Sequence, residues 1–165
     1  MKELLLQYAR YNVWANKQII DSVFKLEEAD VDREINSSFN TIRKTVYHVW
    51  SAEYVWLQRL QLVEHPLWVA GDFDGTFEAA CIDWQRVSGE LVQFAKKQFD
   101  DRSFGHVVQY HDLKKHPHKT PVSEIMLHVF NHSTYHRGQL ITMLRQAGLN
   151  EIPGTDFITF VRIKG

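Results

Sequence analysis

The chain patterning predicts an all-α fold: an antiparallel four-helix bundle with a small β-hairpin or loop insertion before the last helix. Four long segments carry a mostly helical apolar rhythm, breaks rich in Gly, Pro or acidic residues separate them, and the rhythm changes between Phe104 and Thr120. With 165 residues, 44% of them hydrophobic, the chain can build one substantial core but not two ordinary domains, so residues 1–165 are read as one helical domain.

Helix one is expected from Leu4 to Leu26, with Leu5, Tyr8, Ala9, Val13, Ile19, Ile20, Val23 and Phe24 recurring at helical spacing and no Gly or Pro between them. A polar, acidic stretch from Glu27 to Ser37 follows. Ser38 or Asn40 then offers a cap for helix two, which runs through Thr45, Val49, Trp56 and Leu60 to about Leu62. His65-Pro66 and the segment Gly71 to Gly75 break regular structure, and Thr76 opens helix three, which reaches about Phe99 with Gly89 inside it. Val107 to Tyr110 reads as a short strand and Asp112-Leu113-Lys114-Lys115 as a turn. Thr120 as cap, Pro121 at the first helical position and Glu124 at the positive end of the dipole start helix four, which Gly148 ends. The tail from Thr155 to Val161 is apolar enough to pack back on the body.

The composition narrows the function classes. A net charge of -1 with acids and bases interspersed offers no basic footprint for nucleic acid and no polybasic membrane patch, which leaves a small molecule or a protein as partner. A single cysteine, Cys81, excludes an internal disulfide framework and fits a reducing compartment. The N-terminal residues run directly into an amphipathic pattern without the features of a secretory signal, and no apolar run reaches the length of a membrane span. The expectation is a cytoplasmic protein.

The chemistry is concentrated in the last helix, where His128, His132 and His136 recur one turn apart. Residues i and i+4 share a face, so two imidazoles can converge on one ion. At about 100° per residue, His132 and His136 share a stripe with Ile125, Val129, Leu140, Met143 and Ala147, while His128 falls on its flank and is the poorer candidate. Two histidines on an apolar stripe need partners for their nitrogens, and a shared metal supplies both, although each could instead be a hydrogen-bonded core histidine. A third ligand must come from elsewhere. Helix two offers Glu53, near the centre of the face carrying Ile42, Val46, Val49, Leu57 and Leu60, and His48 on a second flank made apolar by Ala52, Val55 and Trp56. Periodicity leaves the choice between them open.

Tyr11-Asn12-Val13-Trp14-Ala15-Asn16-Lys17, His48-Val49-Trp50-Ser51-Ala52-Glu53 with Trp56, His132-Ser133-Thr134-Tyr135-His136-Arg137-Gly138-Gln139, and Gly148 followed by Pro153-Gly154-Thr155-Asp156-Phe157 together resemble the DinB/YfiT-like family, distinct from the lesion-bypass polymerase that shares the name. The resemblance spans nearly the whole chain in order. It implies a four-helix bundle, usually a homodimer, with a divalent metal on three histidines: here His48, His132 and His136. Glu53 then becomes a neighbour of the ligands or an extra one. Tyr135 stands where many members carry another histidine.

Three imidazoles with open positions are the arrangement of catalytic rather than structural zinc, and they suit zinc or nickel, with iron or cobalt as further candidates. An open ion can acidify water or a thiol and polarise a carbonyl. The resemblance favours thiol chemistry, since relatives include metal-dependent transferases and isomerases using low-molecular-weight thiols such as bacillithiol or mycothiol. The leading expectation is an enzyme that activates a small thiol, or water, against an electrophilic small-molecule substrate, with Glu53 or Tyr135 orienting ligands or shuttling protons. The alternative is a non-catalytic stress-response or binding protein stabilised by its metal. Cys81 reads as core packing rather than as a nucleophile. His106, His111, His116 and His118 read as a solvated surface, Arg137 as an ion-pair, interface or anion-binding residue, and Trp68 with Phe73 as a pocket rim.

Overall fold

Helix α1 spans Lys2–Val23 and buries Leu5, Ala9, Ala15, Ile19 and Val23 along one face. The computed structural model describes residues 1–112 and 114–163. The α1 start is tied to the far end of the bundle, where the Met1 ammonium and the Lys2 amide donate to Asp101 at 2.9 and 2.7 Å. Within the acidic stretch that follows, a single turn, α2 (Glu28–Val31), buries Val31. Helix α3 spans Ile42–Leu60. Its cap is Thr41, whose hydroxyl accepts from the Lys44 amide at 3.1 Å, and not Ser38 or Asn40. Those two are engaged elsewhere: Ser38 accepts from Gln139 at 2.7 Å, and Asn40 donates to Glu34 at 3.2 Å.

Helix α4 (Phe77–Lys97) begins at the expected Thr76 cap, which accepts from the Ala79 amide at 3.1 Å. Strands β1 (Val107–His111) and β2 (Pro117–Pro121) form an antiparallel hairpin in which Tyr110 faces His118. Of the expected turn, Leu113 lies outside the described residues. Pro117 and Pro121 sit at the two ends of β2, where a missing N–H disturbs the ladder least. The strand therefore takes the residues expected to open the last helix. Thr120 bonds the Tyr110 hydroxyl at 3.2 Å, and α5 (Val122–Gln146) starts one residue later than its signals suggest. A short α6 (Phe157–Ile163) returns the tail to α1, with Phe160 packed on Tyr11 and Ala15.

α1 and α3 each pack against both α4 and α5, which makes α1/α3 and α4/α5 the diagonals of the bundle. Contacts along the helices give their directions. α1 is antiparallel to α4, since Lys2 meets Gln98 and Val13 meets Gln85. α3 is antiparallel to α5, since Thr45 meets Met143 and Trp56 meets His128. α3 and α4 instead run parallel, with Tyr47 beside Phe77 and Glu53 beside Ser88, as do α1 and α5, with Tyr8 beside Phe130 and Asn12 beside Arg137. The expected four-helix bundle is present with mixed neighbour directions. The cause is the broken segment after α3, which runs back along that helix: Leu67 bonds Gln58, Ala70 bonds Ser51, and Phe73 packs on Trp50. α4 therefore restarts beside the beginning of α3.

Both long helices of the site stop in the same way. At the end of α5 the Gly148 amide reaches Arg145 and the Leu149 amide reaches Leu144, each at 3.0 Å, with Gly148 at φ 95°. At the end of α3 the same pair of bonds places Leu62 at φ 61°, a left-handed conformation that strains a side chain with a Cβ. Leu62 is 74% exposed and gives up little packing if replaced. Leu62→Gly should therefore raise the unfolding free energy by about 0.5–1 kcal/mol, the relief of strain less the added freedom of the unfolded chain. Urea denaturation of the two proteins checks this; a fall in stability would show the conformation to be unstrained.

Candidate metal centre

His48 on α3 and His132 and His136 on α5 converge at the interface of these antiparallel helices. Among the described residues they are the one group of three His, Cys, Asp or Glu side chains whose ligand atoms all lie within 4.8 Å of one another. The His48 and His132 Nε2 atoms are 3.1 Å apart. Two imidazoles on a tetrahedral ion, at about 2.0–2.1 Å each, hold their nitrogens about 3.3 Å apart, so the spacing fits a shared cation with minimal adjustment. His136 is buried, and His48 and His132 are partly open to solvent.

The imidazoles are held neutral, as a ligand set must be. Burial, followed by the neighbouring His136, pushes His48 down to about 4. Burial and then the surrounding histidines push His132 down to about 3. For His136 burial lowers the value, and the bond to Gln139 opposes it. That bond also selects the tautomer. Gln139 Nε2 donates to Ser38 at 2.7 Å, which turns its Oε1 towards His136 Nδ1 at 2.8 Å, so Nδ1 carries the proton and Nε2 is left free. Phe39 stacks on His48 with ring centroids 4.2 Å apart, and Trp68 lies 5.6 Å from the same ring. Ser38, Phe39 and Gln139 are parts of the site that sequence patterning missed, because the first two belong to an irregular loop and the third is one polar residue among many on α5.

Glu53 lies elsewhere, 1% exposed in the bundle core and outside the histidine group. Its Oε1 accepts from Asn12 and Asn16 at 2.9 Å each and from Ser133 at 2.7 Å, while its Oε2 accepts from Ser88 at 2.6 Å. Arg137 completes this network. It is 1% exposed, and its Nη1 donates to the Asn12 and Asn16 side-chain oxygens at 2.5 and 2.7 Å. Arg137 thus meets neither solvent nor substrate. The buried stripe of α5 is correspondingly rotated from the projected one: Ser133 and Arg137 are fully buried and His132 sits at its edge.

The other residues read from sequence also have definite places. Tyr135 is 60% exposed with its ring 4.9 Å from that of His136. His128 is exposed, edge-on to Trp56 and 5.9 Å from the His132 ring. Cys81 is fully buried with its thiol pushed up to about 12 by burial, which makes it a packing residue. His116 and His118 bond Asp112 on the exposed hairpin at 3.3 and 3.2 Å. Phe73 belongs to the core face against Tyr47 and Trp50, whereas Trp68 does line a cleft. No described helix is long and apolar enough to cross a membrane.

A mixed-direction helical bundle with an interhelical three-histidine cluster is thus the class of protein that fold and site define. The model of the DinB family matches residues 1–164, and the chain is 30% identical to protein DinB of Bacillus subtilis (strain 168) over 164 residues, 95% of this chain and 93% of that one. The chain belongs to the DinB family. Solved structures agree in fold. A DinB-like protein from Bacillus cereus ATCC 10987 superposes with a TM-score of 0.71 at 22% identity, covering 92% of this chain and 95% of the other. YfiT from Bacillus subtilis, described as a probable metal-dependent hydrolase with an unusual four-helix bundle topology, gives 0.69 at 14% identity over 91% of each chain.

Two outcomes follow from this geometry. Glu53→Ala leaves Arg137 buried without its counter-charge and should lower stability by about 3–5 kcal/mol, with part of the loss recovered when Arg137→Met is added. Urea denaturation of both variants measures it, and additive losses would show that the two charges are not coupled. In metal-free protein, His48 and His132 bind protons at about 4 and about 3 when folded against the ordinary 6.5 when unfolded, so the unfolded chain takes up more protons between those values. Their contribution is complete above about pH 6.5 and declines as pH falls towards 4. Melting in chelator at pH 7 and pH 5 should show the decline, and His132→Ala should flatten it; an unchanged slope in that variant would exclude His132 as a source.

Proposed function

We propose that this chain is a divalent-metal-dependent enzyme that activates water or a small thiol against an electrophilic small molecule, with His48, His132 and His136 as the ligands. The observation that carries this reading is the convergence of three neutral imidazoles, two of them partly solvent-open, with no carboxylate or thiolate among the described residues closing the set. A cation so held retains open coordination positions and acts as a Lewis acid on the group that enters them, and zinc, nickel, cobalt or iron would suit the donors. The description of YfiT as a probable metal-dependent hydrolase supports the same class.

The residues of the chain divide the remaining work. Gln139 holds the His136 tautomer, with Ser38 holding Gln139. Phe39 and Trp68 wall the open side with aromatic faces that limit water and orient an incoming molecule. Tyr135, exposed with its ring 4.9 Å from that of His136, is in this reading the group that exchanges a proton with substrate. Glu53 acts through Ser133 as a positioning residue, since their 2.7 Å bond sets the rotation of α5 that turns His132 and His136 towards α3.

A metal confined to stabilising the bundle is the competing role, and the core argues against it. The Glu53 network already joins all four long helices without the histidines. Purified protein should therefore take up one zinc, nickel or cobalt ion per chain, His132→Ala should lose it, and Gln139→Ala should weaken it by about tenfold or more. Chelated protein should keep its helical circular dichroism and rebind the ion. Stoichiometric metal in His132→Ala would remove the assignment, and unfolding on chelation would favour the structural role.

A further inference from the structure

Beyond the histidines, α3 carries a cation, Arg59, that is in no ion pair among the described residues. Arg59 is 9% exposed, and its guanidinium lies against two aromatic rings that pack edge-on to each other, 4.4 Å from the Trp56 ring centroid and 4.6 Å from that of Tyr110. Its Nη2 donates to the His111 carbonyl at 2.9 Å, Nε is buried without a partner, and among the described residues no carboxylate forms an ion pair with it. Asp112 is near enough to favour the charge, but its oxygens are occupied by the Lys114 and His116 amides and by His116 and His118. A buried cation without a counter-ion is costly unless something supplies one. The two rings and the His111 carbonyl hold the guanidinium in place without supplying that counter-charge.

Arg59 lines a cleft of about 780 Å³ together with Trp68, Tyr110, His111 and Lys115. Glu64 is the one acid at its wall besides Asp112. Trp68 forms part of its wall and also lies 5.6 Å from the His48 ring, so one side chain borders both the cleft and the candidate metal centre. Arg59 and His48 are eleven residues apart on α3, a rise of about 16 Å. The Arg59 side chain leans back over Trp56, which reduces the gap between the guanidinium and the imidazoles to about 10–15 Å.

We propose that this cleft is a substrate subsite in which Arg59 binds a carboxylate, and that the substrate is an elongated acid whose reacting group reaches the three-histidine centre about 10–15 Å away. The proposal rests on the metal-dependent reading above for its second half only. A carboxylate on the guanidinium gains a charge-assisted hydrogen bond and gives the buried cation its missing counter-charge. A neutral substrate of equal length gains neither.

The test uses full-length cobalt-loaded protein and three hydroxamates read by the cobalt absorption band: suberic acid monohydroxamate, octanohydroxamate of equal chain length without the acid, and succinic acid monohydroxamate, which is too short to span the gap. Arg59→Gln should weaken the first by about tenfold or more and leave the other two within about twofold. Arg59→Lys should keep part of the preference. A loss below about twofold for the long acid, or an equal loss for all three, overturns the subsite. Should Arg59→Gln fail to fold, the native protein decides: tighter binding of the long acid than of octanohydroxamate supports the proposal, and no preference overturns it. Octanoate titrated into metal-free protein and followed by tryptophan fluorescence separates the two readings. Cobalt uptake without an octanoate response that depends on Arg59 removes the subsite alone, whereas that response without cobalt uptake removes the metal reading and retains the anion site.

Discussion

The buried carboxylate of Glu53 is the constraint on which the rest of the bundle depends. Placing a carboxylate and a guanidinium in a core costs several kcal/mol for each ion unless every polar atom finds a partner. Here all but the Arg137 Nε are partnered, and the partners come from all four long helices: Asn12 and Asn16 from α1, Glu53 itself from α3, Ser88 from α4, Ser133 and Arg137 from α5. The two asparagines accept from Arg137 through their oxygens and donate to Glu53 through their nitrogens, so each amide relays one charge to the other. Apolar packing between helices tolerates sliding and rotation, but this arrangement has one register. A shift of one residue on any helix would leave a buried charge or amide unpaired.

The consequence for the site is geometric. Ser133 lies between the two histidines of α5, and its bond to Glu53 turns that helix so that His132 and His136 flank the contact with α3. On α3, Glu53 is directed into the core, which leaves His48 on the adjoining flank facing α5. The three imidazoles therefore meet at the rim of the core, with His136 buried and the other two partly open. Loop residues complete the arrangement: Ser38 acts through Gln139, and Phe39 stacks on His48. A rigid centre supports a more accessible edge, and that edge is where a site needs both fixed ligands and an entrance.

Helical periodicity made the four long helices legible, and strong local chemistry marked Thr76 and Gly148 as ends, as the structure bears out. It did less well where tertiary partners decide. Ser38 and Asn40 have good capping side chains but spend them on Gln139 and Glu34, leaving the cap to Thr41. On α5 the projection ranked His132 inside and passed over Arg137, because hydropathy treats a charged residue as outward-facing and cannot see a carboxylate arriving from another helix. The choice between Glu53 and His48 was open for the same reason. Both are polar residues on semi-apolar flanks, and their partners are 35 to 88 residues away in the chain. Mixed helix directions were illegible too, since they follow from a loop that retraces α3.

The two buried arginines show how a shared residue type can point to different roles. Arg137 and Arg59 are 1% and 9% exposed, and burial lowers the proton affinity of both. Arg137 is compensated within the fold by Glu53 through two amides, so its charge is spent on holding helices together. Arg59 has two adjoining aromatic rings and a single carbonyl beside it, which orient the guanidinium but, among the described residues, pair it with no carboxylate. Folding alone does not explain such a cation, because an apolar side chain of similar length would pack beside Trp56 and Tyr110 without the desolvation penalty. The unpaired charge lies on the wall of the cleft and on the same helix as His48. A bundle that neutralises one buried arginine internally and leaves the other facing a cleft separates the charge that builds the fold from the charge available to a ligand.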